Sequence, residues 1–486
     1  MADLPSGAPV QYHQLTKHSP ASVRATAHRL DFTDQPQPFK IYPDLDPVPL
    51  PDPAADTKYP APAAVAEQIN DEHRRFDSGE LARLLTLGAG IRRVFSGPGS
   101  RPIYLRSYAC AGALYPIEVY VSCADVNGVE PGLYHYSPIE DGLRQLRPGD
   151  PRPYLVRACG GRHSVATAPA CIILSGIVWR TAWKYRARGY RHLWWDSGMI
   201  LANLLALGAS GGHRCEVVAG FDDAELNHLL GVDGTSEMAL CLAPIGYDPN
   251  APAGDAATDP PAAIDYPSLP MSRFRRDYDE VLSVHSETSL SGSLQVQLWQ
   301  QDAWSNPVPP SSVCPTGVEK VIRRRGSKRI FDKDRSQMSL EHFHGILDHA
   351  THHLACDWGE QLTQIGAVVH SVRGVDPGVY AYLDGLDLIE RGEMRGKGKF
   401  LCLDQDLGGD GAGTLFLFTD FDDAARSLGK RSYRAAQLNA GVVGGRLYLC
   451  AYACQMGATG LTFFDDEVRR FFSTTAEPML VVAIGR

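Results

Sequence analysis

Apolar positions along the 486-residue chain fall into short continuous runs and long helical stretches, and these recur in one order in two halves. In the first half, residues 81–89 read as a helix and 117–122 as a strand. Residues 170–176 read as a buried strand, because CIIL is a short continuous apolar run. A long apolar helix is predicted over 194–207 and a closing strand over 238–245. In the second half, residues 340–354, 415–419, 438–456 and 479–484 fall in the matching order. Two long apolar helices, one per half, are what a helical dimer interface needs. The pattern predicts an α+β fold in two similar domains.

Direct repeats support that division. GVEPGLYHY at 128–136 recurs as GVDPGVYAY at 374–382, and FDD at 221–223 recurs at 464–466, at offsets of 246 and 243. Solenoid repeats are far shorter, so the unit repeated is a whole domain, and two copies suggest a pseudo-symmetric pair mimicking a homodimer. Asp222 and Asp465 of the FDD motifs are candidate helix N-caps. Nine prolines crowd residues 31–65. They predict an extended arm lying over a domain, because proline fixes φ and removes a donor. A second Pro/Ala/Ser-rich stretch, ending in NPVPPSSVCP, reads as a linker with one or two short helices, one of them starting at 273–280. The expected organisation is an arm (1–70), a first domain (71–248), a linker (249–316) and a second, partly degenerate domain (317–486).

Composition removes several classes of function. The formal charge of −9, with 47 basic and 56 acidic residues and no basic block, is unsuited to gripping nucleic acid through phosphates. The eleven cysteines contain no CxxC pair, so they read as scattered reduced core thiols, not as a disulfide framework or zinc site. Residues 1–30 lack the apolar core of a signal peptide, and the longest apolar stretch, 199–209, is about half a membrane span. A cytoplasmic globular protein without membrane or nucleic-acid partners is expected.

Three segments carry candidate chemistry. RRRGSKRIF at 323–331 groups Arg325, Ser327 and Arg329, with Arg323, Arg324 and Lys328 beside them, just before a helical region. Forked guanidinium donors and a hydroxyl suit a phosphate, though the run also reads as a solvated basic stretch. SYACAGALYP at 107–116 offers small residues (Ala109, Ala111, Gly112, Ala113) that would let backbone approach a flat ligand, or simply a tight turn into a strand. In TAWKYRARGYRHLWWDS, Lys184 and Tyr185 stand at the mouth of the long helix among aromatic residues. They are candidates for proton transfer, or for an aromatic core helix with a snorkelling lysine. His349 and His353 have the i, i+4 spacing of a metal pair, but no third ligand accompanies them, so a polar helix face is expected and no metal. GDGAG at 409–413 lacks the Lys-Ser/Thr of a phosphate loop.

Taken in order, these segments resemble the SagB/ThcOx branch of the nitroreductase-like flavoproteins, the azoline dehydrogenase relatives. YHQLTKHSPASVRATAHRLDF (12–32), SYACAGALYP, GVEPGLYHY, TAWKYRARGYRH and VAGFDDAELNHLLGVDG carry the resemblance in the first half. RRRGSKRIF, GVDPGVYAY and GLTFFDDEVRRFF (460–472) carry it, more loosely, in the second. The resemblance implies nitroreductase-like domains, each a mostly antiparallel central sheet flanked by helices, dimerising through long helices with FMN at the interface. In that family an RRSxR-type segment holds the FMN phosphate, which maps to Arg325, Ser327 and Arg329. A GLTFF-like stretch covers the isoalloxazine, mapping to Gly460 and Leu461. The other partner supplies the SAGALYP-type segment, mapping to Ser107, Ala109, Gly112, Ala113 and Leu114. Azoline dehydrogenases also have a Lys-Tyr pair, matching Lys184 and Tyr185, implicated in removing the proton as flavin takes hydride.

The mapping is asymmetric. The second half has DWGEQLTQ (357–364) where SYACAGALYP should repeat, and the first half has no RRSxR segment, Arg24 being its nearest substitute. One composite site can be assembled and its mirror cannot, which implies one FMN per chain. Gly326 replaces the family's second Arg, so Arg324 or Lys328 would have to substitute, and Arg486 is a further candidate for the phosphate. The expected protein is an FMN-dependent oxidoreductase acting on a small-molecule or modified-peptide substrate, such as the azoline rings of a peptide. It would be an internal pseudo-dimer able to act as a monomeric chain. The alternatives are an NAD(P)H-dependent nitro- or quinone reductase, and a flavin-free scaffold in a biosynthetic complex.

Overall fold

A computed structural model of the chain describes residues 7–26, 28–72, 74–97, 102–301, 314–383 and 385–486. In the first half, β1 (Pro47–Pro49), β2 (Ile117–Cys123), β3 (Gly132–Ser137), β4 (Gly142–Pro148), β5 (Ala170–Ile177) and β6 (Glu237–Ile245) form one sheet in the order β1-β4-β3-β2-β5-β6. In the second, β7 (Gln364–Val369), β8 (Gly378–Tyr382), β9 (Leu386–Arg391), β10 (Gly413–Thr419), β11 (Gly457–Leu461) and β12 (Glu477–Gly485) pair as β9-β8-β7-β10-β12-β11. Every pairing in both sheets is antiparallel. Setting aside the edge strands β1 and β11, the remaining five strands share one order. At the position of β11 the first half has only isolated bridges, Cys215 to Ile245 and Val218 to Leu242.

The expected α+β architecture is therefore present in both halves, and the two meet through the helices α1 (Gly189–Ser210) and α2 (Ser432–Ala453), each 22 residues long. Both are longer than their apolar runs, because polar residues at their starts are buried as well. The two helices cross at glycines. A Cβ on Gly198 would lie 2.3 Å from the Gly441 carbonyl carbon, and one on Gly441 would lie 2.8 Å from the Cα of Trp195. Only glycine permits that approach. Gly198 and Gly441 stand 243 residues apart, the offset of the FDD repeat, so each meets its counterpart as in an isologous dimer.

Ion pairs fasten the same interface. Arg188 and Arg191 donate to Asp465 at 3.0 and 2.9 Å, and Arg431 and Arg434 donate to Asp223. Asp465 departs from the N-cap expectation. Asp222 does cap helix Asp223–Leu230, accepting from Glu225 N at 3.0 Å, but Asp465 lies inside helix Asp465–Phe471 after the N-cap Phe464. Two guanidiniums and the His18 amide take its carboxylate instead.

The arm and linker also differ from the expected chain course. Helices Ala8–Leu15, Pro20–Arg24 and Ala61–Val65 interrupt the arm, whose extended proline-rich part adds β1 to the first sheet. Among its described residues the linker carries two helices after an irregular stretch that runs to 278. The helix expected from 273 begins at Asp279, and Asp279–Glu287 and Ser293–Trp299 bury Val281, Val284, Val296 and Trp299. Arg434 holds Thr288 and the His285 carbonyl much as Arg191 holds Thr16 and the His13 carbonyl. Residues 279–299 are thus the second half's counterpart of the amino-terminal helices. NPVPPSS lies outside the described residues. Among those described, no helix is long and apolar enough to cross a membrane.

Candidate functional site

SYACAGALYP leads into β2 through a 3-10 turn, Ala111–Ala113; Gly112 and Ala113 within it and Tyr115 just after it have positive φ (64°, 53° and 51°). The turn places Gly112 against the Lys-Tyr pair. A Cβ there would stand 2.9 Å from the Tyr185 hydroxyl and 3.1 Å from Lys184 Nζ. Asp196 of α1 fixes the turn, accepting from Ala111 N at 3.2 Å and from the Cys110 thiol at 3.1 Å. Burial pushes the Asp196 carboxyl up to about 7, against the two hydrogen bonds that favour its charged form.

Lys184 and Tyr185 close helix Val178–Tyr185, and the next residue, Arg186, adopts φ 52° and ψ −143°. That region is normally glycine's. In the second half Gly429 holds the same place after helix Phe421–Leu428, with φ 56° and ψ −149°. Tyr185 stacks on His192 at 4.3 Å and 27°, and His192 meets Trp195 edge-on at 4.7 Å. Burial, then Cys110 and Asp196, raises the Tyr185 hydroxyl. His192 is buried with neither ring nitrogen hydrogen-bonded, and burial, then the charge of Arg188, holds it well below the usual histidine range. The site therefore holds a neutral imidazole.

The second half supplies the facing wall. Gly460 N donates to the Tyr448 hydroxyl at 2.6 Å, and that oxygen lies 3.2 Å from Ser327 Oγ. Ser327 is seated by a bridge to Ala458. Between the walls is a cavity of about 440 Å³. Of the expected residues, Lys184, Tyr185, Ala109, Gly112, Ser327, Gly460 and Leu461 line it, joined by Cys110, Asp196, His192 and Arg188, which the sequence reading did not single out. Ser107, Ala113 and Leu114 are not among its lining residues; Ser107 and Leu114 are buried behind it.

The expected cationic grip is different. Arg325 is buried at the end of helix Val318–Arg324 and spends its donors on the Ser107 and Arg106 carbonyls at 3.1 and 3.2 Å, tying one half to the other. Arg329 and Arg324 are exposed and outside the lining, and Lys328 lies across Gly457. Arg24 is exposed at the end of helix Pro20–Arg24, and Arg486 N donates to Ser336. The His349 ring donates to the Gly345 carbonyl at 2.6 Å inside its own helix.

A second cavity of about 510 Å³ shares Lys184, Tyr185, Arg188 and Thr462 with the first and opens beneath the amino-terminal segment, against Leu15, His18, His28 and Leu30. The Lys-Tyr pair is part of the boundary between the two, with Arg188 and Thr462.

At the mirror position the chain fills its own space. The Asp357 carboxylate accepts from Ala219 N and Gly220 N at 2.9 and 2.7 Å. Trp299 packs so closely that its Cε3 lies 2.5 Å from where a Gly220 Cβ would be, and its indole donates to the carbonyl of Leu428, at the same helix end as Tyr185.

The "Nitroreductase family" model matches residues 77–247. A protein named as a nitroreductase, MJ1384 of Methanocaldococcus jannaschii, is 32% identical over 136 residues, which are 28% of this chain and 67% of that protein. The chain belongs to the nitroreductase family. The microcin B17-processing protein McbC of Escherichia coli is 27% identical over 153 residues, 30% of this chain and 56% of McbC. A second nitroreductase-named protein, from Anabaena variabilis, has a solved structure that aligns with 99% of both chains at 26% identity and a TM-score of 0.79. The likeness to this nitroreductase relative thus extends over the second half, beyond the residues matched by the family model.

Proposed function

We propose that this nitroreductase-family chain is an FMN-dependent oxidoreductase with one composite cofactor site, formed between two halves that arose by duplication. The observation that carries the reading is the cavity where Gly112, Lys184 and Tyr185 of one half face Ser327, Gly460 and Leu461 of the other. Those walls suit a flat polar ring: Gly112 and Gly460 present backbone, and His192 lines the cavity with no hydrogen-bond partner for either nitrogen. Ser327 and the 459–462 backbone would hold the cofactor from one side and Ala109 and Gly112 from the other. Arg325 would act from behind, by pinning the Ser107 carbonyl. FMN, when bound, supplies a two-electron acceptor for hydride.

The chain's own residues supply position and the proton relay. A substrate reaching the second cavity meets Lys184 and Tyr185, so Lys184 Nζ receives the proton released as a substrate C–H is oxidised, directly or through the Tyr185 hydroxyl, which burial keeps protonated and which takes a proton only by passing its own on. Tyr185 is held by its stack on His192, and Asp196 holds the Gly112 turn beneath it. The likeness to McbC and the Lys-Tyr pair favour a peptide azoline ring as the group oxidised. The second reading, an NAD(P)H-dependent nitro- or quinone reductase, draws on the family likeness to MJ1384.

Lys184→Ala is expected to retain bound flavin and its yellow colour while turnover falls at least a hundredfold, the usual contribution of a positioned acid or base. Full turnover in the flavin-loaded variant would remove Lys184 from the reaction. Rapid bleaching of the flavin by NADPH would favour the reductase.

A further inference from the structure

Away from the cavity, three soft side chains converge from three separate elements. Cys314 precedes helix Val318–Arg324, His342 stands in the first turn of helix Leu340–Thr351, and Cys454 caps the carboxyl end of α2. One ligand atom from each, the two thiol sulfurs and an imidazole nitrogen, lies within 4.8 Å of the others. Both cysteines are buried and His342 is half-buried, so the cluster has one side towards water. We propose that Cys314, His342 and Cys454 form a binding site for a thiophilic divalent cation of the zinc class.

The donor set and geometry support this assignment. Two thiolates and an imidazole are the soft-to-borderline ligands that tetrahedral zinc takes, at metal–sulfur and metal–nitrogen distances of about 2.3 and 2.1 Å. Donors around such a centre sit roughly 3.5–4 Å apart, so about 1 Å of side-chain movement closes the set. No fourth His, Cys, Asp or Glu joins them among the described residues, which leaves the last position to water on the His342 side. The spacing, 28 and then 112 residues, has no sequence signature.

The site also has a structural consequence. Helix Val318–Arg324 begins four residues after Cys314 and delivers Arg325 and Ser327 to the interface between the halves. A cation joining Cys314 to Cys454 would clip that helix to the end of α2 and fix one wall of the cavity.

The test is equilibrium dialysis of the full chain, carrying whatever flavin it binds, against micromolar Zn²⁺ under reducing conditions, with metal counted per chain. Wild type is expected to bind one zinc, Cys314→Ser/Cys454→Ser none, and His342→Ala to bind at least tenfold more weakly. His342 is half-buried, so its variant should fold even if the double cysteine variant does not. No zinc on wild type, or unchanged affinity in His342→Ala, would overturn the proposal. So would a Cys314–Cys454 disulfide, found as two missing thiols when the unreduced chain is titrated. None of these readouts depends on the flavin assignment.

Discussion

Arg186 sits in backbone space that the second half gives to Gly429, directly after the two residues at the partition between the cavities. A side chain held there costs about 1–3 kcal/mol, a strain that persists where the surroundings impose it. Glycine would remove the strain but add freedom to the unfolded chain. Arg186→Gly is accordingly expected to stabilise the protein by about 1 kcal/mol in denaturant titration while slowing turnover. A destabilised variant would show that no strain is stored. The sequence motifs marked Lys184, Tyr185 and Gly112, because small residues and a Lys-Tyr pair are visible as strings. His192 and Asp196 carry no signal in the sequence, because what singles them out is burial and the neighbours they meet in the fold. The RRSxR-type resemblance points Arg325 at a phosphate, but burial at a helix end directs it to the Ser107 and Arg106 carbonyls.

At the scale of elements, the strands and the two long helices were legible from apolar runs, since central strands buried on both faces carry continuous rather than alternating apolar residues. The helix starts were not. Arg188, Arg191, Arg431 and Arg434 look like solvated residues in the sequence, yet all four are buried on carboxylates of the opposite half. Burial alone would raise Asp223 and Asp465, but the paired guanidiniums outweigh it and leave Asp223 at about 2 and Asp465 far below the usual carboxylate range. The folded state therefore binds fewer protons than the unfolded chain. The clasp's contribution is complete above about pH 4 and is lost as pH falls towards 2 and below. Asp465→Asn should destabilise the chain by about 3–5 kcal/mol at pH 7, because two buried guanidiniums lose their counter-charge. The variant should also show a weaker stability loss than wild type between pH 4 and 2. Equal stability at pH 7 would mean that the clasp contributes nothing.

For the whole molecule, the proposed function has one working site, between Lys184-Tyr185 and Gly460, and a mirror position that Trp299 and Asp357 occupy. The repeats made the two halves visible, and the missing SYACAGALYP counterpart suggested the asymmetry. What takes its place was not visible. Trp299 comes from a stretch read as linker, and Asp357 reaches the Ala219 and Gly220 amides only once the halves are docked. The most direct measurement is the visible absorption spectrum of the purified chain, with released flavin identified and counted per polypeptide after reconstitution with FMN. One FMN per chain is the predicted result. Two per chain would mean that Trp299 and Asp357 do not close the mirror position, and none would remove the cofactor from the cavity and the oxidoreductase reading with it.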